Sequence, residues 1–451
     1  MEKMFKQLPK KNVKNAAWLI GCKIVQVLLS FVIGTISARY LGPSNYGMID
    51  YASAIVSFLV PVVQLGFRAT LTHEIISNPD REGEALGSAL LLSTAASLLG
   101  IVGVFAFCSI ANRSETDTII VCVLYSVSLL FQATELIQYW FQSKLESKYV
   151  AVVSLCAYAV VSAYRCFLLI TAKSVFWFAV THALDYLLIS LSLFVIYRRL
   201  HGQRLRFSPS LGWEMFRRSR YYIISGVMVT LFSLTDRVMI NWMIGKEANG
   251  YYSAAFTCAN LSQFVFAAIV DSARPSILEA KKNGSASYRS HLARLFSIVI
   301  ALALAQGLAL SLAARLVIGV IYGKAYLAAV PVLRIITWYS AFAYIGSVRN
   351  IWILAEQKQQ ILWKINLFGA VLNITANYFL IPRLGIAGAA IASVFAQFFV
   401  NFFLCFALRE LREVSRILLD SLNPRTLRKL WLGDQKTDTS ETQIGDDSND
   451  E

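Results

Sequence analysis

Apolar runs of about 20 residues recur from one end of the chain to the other, each long enough to cross a bilayer as a helix. In hydrocarbon the backbone must satisfy its own hydrogen bonds, so only helices and closed barrels can span. Ten-residue alternating strands, the mark of a membrane barrel, do not occur. Of the 451 residues, 57% are apolar and 15% charged, against about 45–50% and about 25% in soluble domains. A soluble multidomain enzyme is excluded, and the fold class is an all-α polytopic membrane protein.

Hydropathy and loop breakers place twelve spans near residues 16–38, 48–67, 86–110, 118–141, 150–171, 175–197, 221–243, 251–272, 293–313, 328–348, 361–381 and 386–408. The organisation that follows is a basic N-terminus (1–15), a six-span lobe (16–197), a basic linker (198–220) and a second six-span lobe (221–408). An amphipathic surface segment (409–433) and an acidic tail (434–451) close the chain. The tail has seven acidic residues and almost nothing apolar to bury, so disorder is expected there.

The net charge of +15 matters through its placement rather than its size. Thirty of the 42 Lys and Arg lie in the N-terminus, every second connection and the C-terminal segment; seven lie in the intervening connections. The remaining five, Lys23, Arg165, Arg237, Arg334 and Lys364, fall inside spans, with Arg294 at the very start of span nine counted in the connection before it. Basic loops stay on the inner side, so both termini are read as cytoplasmic. The linker's seven arginines suit retention there and contact with anionic headgroups. The seven cysteines show no CxxC spacing and read as small core residues. The first apolar run exceeds a signal-peptide core and lacks an A-x-A site, so it reads as a retained span.

The chain repeats itself. Leu41-Gly42-Pro43-Ser44-Asn45-Tyr46-Gly47 follows span one, and Ile244-Gly245-Lys246-Glu247-Ala248-Asn249-Gly250 follows span seven, at an offset of 203 residues. Both read apolar, then G-x4-G, then Tyr among small residues. Six spans separate the copies, an even number, which makes the halves parallel repeats with a site expected between them.

Polar residues inside spans follow the same repeat. Lys23, Gln26, Ser30, Gly34 and Ser37 share one face of span one, and Gly226, Thr230, Ser233, Arg237 and Asn241 share one face of span seven. The first set, moved by 203, lands on or beside the second. Span two carries Asp50, Ser53, Ser57, Pro61, Gln64 and Arg68; span eight carries Ser253, Thr257, Asn260, Ala267 and Asp271. Polar groups at membrane depth face protein or water. Small-residue stripes also let helices pack closely, and Lys23 or Arg237 alone could snorkel; their coincidence under the repeat favours a shared hydrophilic cavity. Asp236 adjoins Arg237 and could simply neutralise it. His182 with Asp185 suits either a relay or a structural pair, and Glu135 could pair with Arg165 or be protonated.

Gly319-Val320-Ile321-Tyr322-Gly323-Lys324 has three residues where a phosphate loop needs four, and Ala325 where it needs Ser or Thr. No outer connection exceeds about 14 residues, and no triad, metal motif or acid pair lies in an aqueous segment. Catalytic residues, metal and cofactor are therefore not expected.

The chain resembles the polysaccharide-biosynthesis transporters, lipid-linked oligosaccharide flippases of the multidrug/oligosaccharidyl-lipid/polysaccharide exporter superfamily. The resemblance is carried by Ala38-Arg39-Tyr40-Leu41-Gly42-Pro43 with Tyr46-Gly47, and by Thr235-Asp236-Arg237 with Ile244-Gly245. It continues in Ile321-Tyr322-Gly323-Lys324 with Tyr326, and in Asn373 to Asn377 followed by Ile381-Pro382-Arg383-Leu384-Gly385. It implies two six-helix lobes in a V around a cavity lined by spans one, two, seven and eight. It also implies a bacterial cytoplasmic membrane, and a polyprenyl-pyrophosphate-linked oligosaccharide moved by alternating access for O-antigen or exopolysaccharide assembly. Polymerase or export machinery are possible partners; nucleic acid is not. Relatives that flip the peptidoglycan precursor usually have two further spans.

On this reading Lys23, Arg68, Arg237 and Arg274 offset pyrophosphate charge, and Gln26, Ser30, Gln64, Asn241 and Asn260 hydrogen-bond sugars. Asp50, Glu135, Asp185, Asp236 and Asp271 are coupling candidates; Gly42, Gly47, Gly245 and Gly250 form outer gates. The competing readings are a cation-coupled multidrug exporter of the same superfamily, a membrane-embedded glycan polymerase or transferase, and a non-transporting scaffold.

Overall fold

The computed structural model describes residues 10–283 and 285–423, without the side chains of 10–20, 23, 283, 285 and 286. The Lys23 side chain, residues 424–433 and the acidic tail thus lie outside the described residues. Among the described residues all regular structure is helical. The first half contains α1 Lys10–Val63, α2 Phe67–Ser77, α3 Glu82–Ala111, α4 Thr116–Ser126, α5 Ser128–Thr134, α6 Gln138–Ser143, α7 Ser147–Ile170 and α8 Val175–Arg199. The second contains α9 Pro209–Met243, α10 Lys246–Ala259, α11 Gln263–Asn283, α12 Ser285–Ile321, α13 Val330–Ala355, α14 Ile361–Leu384, α15 Ile386–Phe398, α16 Leu404–Ala407 and α17 Arg412–Leu422.

Each of the twelve expected segments falls on helix. Ten helices among the described residues are long and apolar enough to span a membrane, or eleven if α10 and α11, bent by 42° at a short break, count as one. The 54-residue α1 is two helices merged across Gly42 (φ 71°, ψ 170°). At 1.5 Å per residue it would extend roughly 80 Å, far more than one hydrocarbon thickness of about 30 Å. Its two arms therefore cover two predicted spans.

Contacts gather the chain into two compact units. One comprises Met1–Ala254, Ile318–Ala329 and Ile374–Ala389; the other comprises Ala255–Val317, Val330–Asn373 and Ala390–Glu451. In the first, α1 packs against α4, α7 and α9 around Tyr51, Ala52, Val56, Val121, Leu129 and Ala179, all nearly or fully buried. The seven-arginine linker is half helical, because α9 begins at Pro209, where proline suits the first turn of a helix. Its remaining residues are clamped to α3 and to the end of α8. The Arg206 amide donates to the Gly83 carbonyl at 3.1 Å, the Ser208 amide to Ser88 Oγ at 2.9 Å, and the Tyr197 hydroxyl to the Gln203 carbonyl at 2.6 Å.

In the second unit, α17 turns its apolar face onto protein. Val414, Ile417 and Leu418 are buried, Ser297 Oγ donates to the Ser421 carbonyl at 3.1 Å, and Arg289 pairs with Glu413 at 3.1 Å. The described part of the amphipathic segment thus spends its stripe on α12. Arg349 marks a second departure from the sequence reading, which ended span ten at residue 348 and left this cation in a connection. Instead α13 continues to Ala355 and buries Arg349 to 4% exposure. Its guanidinium donates to the Val400 carbonyl at 2.9 Å and to Asn350 Oδ1 at 3.1 Å. Val400 lies in a π turn, Phe399–Phe403, where the regular helical ladder is broken. Arg349→Ala is expected to lower stability by about 2–5 kcal/mol, as truncating a large buried side chain does, and Arg349→Met, which keeps the packing, much less. Thermal unfolding of the purified protein checks this; equal melting of the two variants would contradict it.

Candidate functional site

The two repeat copies meet. Gly42 and Gly245 are repeat equivalents, and both adopt positive φ, 71° and 125°. Nothing lies within 4 Å of where a Cβ would sit on either, so backbone conformation, not space, requires glycine there. The second glycines serve packing instead. A Cβ on Gly47 would lie 1.8 Å from the Lys246 carbonyl oxygen, and one on Gly250 would lie 2.0 Å from the Pro43 carbonyl oxygen. Pro43 and Lys246 are themselves equivalents at the 203-residue offset, so the contact is reciprocal. The flanking small residues Ala52, Ala54, Ser53, Ser253 and Ala254 allow this approach; Ala52, Ala54, Ser253 and Ala254 are fully buried. The sequence placed these glycines in connections; Gly47 and Gly250 in fact sit inside helices.

One turn further along, the seam carries charge. Asp50 Oδ1 pairs with Arg237 at 3.2 Å, with side chains 13% and 15% exposed. Asp50 Oδ2 accepts from Ser253 Oγ and from Asn249 Nδ2 at 3.4 Å; Asn249 Nδ2 also donates to the Gly47 carbonyl at 2.9 Å. Ser253 is the repeat equivalent of Asp50, so this contact too lies where the copies cross. Asp236 belongs to a second layer: it accepts from the Tyr252 hydroxyl at 2.6 Å and from Asn377 Nδ2 at 2.7 Å. Arg237 was expected on the wall of a wet cavity, and Asp236 as its neutralising neighbour or a coupling group. They are instead engaged inside the seam, and the strong partner of Arg237 is Asp50.

Aromatic residues cover this network. Tyr46 packs on Tyr322 and Tyr326, each at 6.3 Å between ring centroids, and Tyr251 packs on Tyr326 at 6.1 Å. The Tyr326 hydroxyl donates to the Ala38 carbonyl at 2.7 Å, and Arg39 donates to the Val320 carbonyl. Lys246 lies 3.7 Å from Glu115. Tyr322 comes from the fragment that failed as a phosphate loop, and Tyr326 follows it by two residues; the place of this segment in the fold is to close the seam.

Two cavities occupy the first unit away from the seam. One of about 780 Å³ is lined by Pro61, Gln64, Arg68, Thr72, His73 and Tyr222, among others. Arg68 is exposed, and its guanidinium sits 5.9 Å from the centre of the Tyr139 ring; among the described residues it has no ion-pair partner. Gln64 Nε2 donates to the Gln132 carbonyl at 3.5 Å. From Asp50 to the end of α1 at Val63 the rise is roughly 20 Å; a break at Gln64–Gly66, where Leu65 and Gly66 take positive φ, then leads to Arg68 on α2. The other cavity, about 390 Å³, brings Gln26, Glu135, Gln138 and Asp185 together; Asp185 Oδ1 is buried without a hydrogen-bond partner among the described residues. Arg165 donates to Thr181 Oγ1 at 3.2 Å, and His182 stacks on Tyr125 at 4.4 Å. Among the described residues no three His, Cys, Asp or Glu side chains converge as metal ligands.

The remaining expected residues lie elsewhere. Ser30 is exposed. Asn241 is buried, with Oδ1 lacking a partner among the described residues. Asn260 Nδ2 donates to the Phe256 carbonyl at 2.9 Å, and its Oδ1 accepts from Ser340 at 3.2 Å, so its amide holds the break between α10 and α11. Arg274 is paired with Asp271 at 2.8 Å on one exposed helix face, which offsets both as free charges.

Residues 12–281 match the sequence profile described as polysaccharide biosynthesis protein. The chain belongs to that family. Ala38, Arg39, Tyr46, Gly47, Asp236 and Arg237, which contribute to the seam and the contacts around it, fall within the matched residues. An uncharacterized membrane protein of Methanocaldococcus jannaschii is 25% identical over 244 residues, 51% of this chain and 48% of that protein; the chain thus spans about half the length of this relative. Among solved structures, the lipid II flippase MurJ in its inward closed conformation matches with TM-score 0.72 at 14% identity, covering 90% of this chain and 91% of that one. An inward-facing multidrug resistance MATE family transporter of the MOP superfamily matches with TM-score 0.64 at 13% identity, over 86% and 96%. The fold is that of these membrane transporters.

Proposed function

We propose that this chain flips a polyprenyl-pyrophosphate-linked oligosaccharide from the inner to the outer leaflet for surface-polysaccharide assembly. One pairing of observations carries the reading. The kink of α1 at Gly42–Gly47, read as outer, is sealed by reciprocal backbone contact, while a cation-bearing cavity large enough for sugar rings lies past the far end of the arm that follows, beside the basic linker. A pyrophosphate with hydroxylated sugars cannot cross bare hydrocarbon at tolerable cost. In this account Arg68, with Lys23, takes the pyrophosphate; Gln64 and Thr72 take sugar hydroxyls; the prenyl tail stays in lipid. The seam then opens and the cavity closes. The family and the MurJ-like fold support the reading.

Depleting the protein in a producing cell tests it: the account expects the lipid-linked oligosaccharide to accumulate in the inner leaflet, and unchanged export of polymer would contradict it. Arg68→Gln is expected to cut export about tenfold or more, the scale of losing one charged contact to phosphate, measured as surface polymer at equal protein level.

The second reading, a cation-coupled multidrug exporter, is supported by the two carboxylates of the 390 Å³ cavity and by the MATE-like fold. Efflux of dyes in sensitised cells distinguishes the two. Under either reading Glu135 and Asp185 hold the coupling cation. Glu135→Gln and Asp185→Asn are expected to abolish gradient-driven accumulation, because an ion drives the cycle only by binding its two states unequally, while leaving substrate binding in the other cavity within about twofold; unchanged gradient dependence would contradict this assignment.

A further inference from the structure

A third cavity, of about 340 Å³, lies in the second unit and is built by the first turns of α14 and the end of the last span. Lys364 and Phe368 stand one turn apart on α14, on one face. Leu404, Leu408 and Arg409 come from the opposite wall, where the π turn Phe399–Phe403 precedes α16 and Leu408 leaves the helix in extended conformation (φ −86°, ψ 125°). Glu410 sits on the rim.

Lys364 and Arg409 are both exposed, and among the described residues neither forms an ion pair or a side-chain hydrogen bond. The neighbouring cation Lys358 is spent elsewhere, donating to the Glu410 carbonyl at 3.2 Å and lying over the Trp352 ring at 4.7 Å. Immediately beside the two free cations the surface becomes apolar: Trp363, Phe368, Val371 and Phe403 are 40%, 45%, 55% and 47% exposed. Aromatic residues at this position mark the headgroup level of a bilayer. The cations lie at the end of α14 that the charge distribution reads as cytoplasmic.

We infer that this cavity is a binding site for one anionic phospholipid of the inner leaflet, with a hydroxylated, singly charged headgroup such as that of phosphatidylglycerol. Lys364 and Arg409 hold the phosphodiester oxygens, and the acyl chains lie along Phe368, Val371 and Phe403. Glu410 makes the three charged walls sum to +1, which matches a monoanion, and its carboxylate accepts a hydrogen bond from a headgroup hydroxyl. A free phosphate would find the cations but not use the apolar wall; a zwitterionic lipid would bring no net charge. The inference is independent of what the protein transports.

The full chain, purified in neutral detergent, is titrated with phosphatidylglycerol, phosphatidylethanolamine, phosphatidic acid and glycerol phosphate, with bound lipid counted by native mass spectrometry. Phosphatidylglycerol should bind best and glycerol phosphate not measurably. Lys364→Gln and Arg409→Gln should each weaken phosphatidylglycerol about fivefold, the effect of one basic residue near an anionic surface. Glu410→Gln should retain phosphatidylglycerol while gaining phosphatidic acid, and Phe368→Ala should weaken the lipid with the charges untouched. Monodisperse elution of each variant separates lost binding from lost fold. Equal binding of phosphatidylethanolamine, binding of glycerol phosphate at the same strength, or full retention of phosphatidylglycerol by the Lys364→Gln/Arg409→Gln double variant overturns the proposal.

Discussion

Gly250→Ala is expected to spring the seam. The new Cβ would start 2.0 Å from the Pro43 carbonyl oxygen, and a backbone atom cannot swing aside as a side-chain tip can. Overpacking of this kind costs about 1–3 kcal/mol, charged only to the state in which the copies touch. The closed-to-open ratio should therefore fall roughly 5- to 150-fold (about 1.4 kcal/mol per decade). Gly47→Ala, which meets the Lys246 carbonyl at 1.8 Å, should do the same, because the two glycines are equivalent under the repeat. The readout is labelling of Ser253→Cys, in a background lacking the native cysteines, by a membrane-impermeant thiol reagent. Labelling should be slow in that parent and at least tenfold faster with either glycine replaced, with export falling in step. Gly42→Ala should behave differently: no atom blocks its Cβ, so its cost is backbone strain at positive φ, which weakens folding rather than selecting an open state. Unchanged labelling in both seam variants would show that the copies do not need to touch.

The Asp50–Arg237 pair should produce the other large effect. Removing one partner of a fully buried ion pair costs about 3–5 kcal/mol because the other charge is left without compensation, and replacing both with neutral groups often costs little. With about a seventh of each side chain exposed, the single losses here should fall nearer 2–3 kcal/mol. Asp50→Asn and Arg237→Met should each lower the melting temperature and reduce export about tenfold or more. The double variant should recover most of the stability but not the export, since the pair's proposed task is to form and release with the seam. A double-mutant cycle on unfolding checks the first part; additive losses would mean that Asp236, not Asp50, is the partner that counts for Arg237.

The repeat was readable because it is local: G-x4-G followed by Tyr and small residues appears twice at one offset, and the structure places both copies face to face. The partner of Arg237 was not readable. Asp50 lies 187 positions away, and a stripe on one helix does not show whether the facing element brings water or a carboxylate. Asn377 was quoted as part of a motif, yet only the fold brings it to Asp236. Arg349 was hidden by a boundary, since a cation one residue past a predicted span end looks like a loop cation until the helix proves seven residues longer. Conversely, Gln64 and Arg68, read from the sequence on one face of span two, lie on either side of a helix break and still line one cavity, and Gln26, Glu135 and Asp185 from three spans meet in another.

On the proposed function, the seam of this chain is a gate for a lipid-linked oligosaccharide. The direct measurement is purified protein in lipid vesicles carrying a labelled polyprenyl-pyrophosphate-linked oligosaccharide in one leaflet, with its appearance in the other read by an impermeant sugar-modifying reagent. Crossing is expected only in vesicles that contain the protein, and at least tenfold slower with Gly250→Ala. Equal crossing with and without protein, or an undiminished rate in the Gly250→Ala variant, would contradict it.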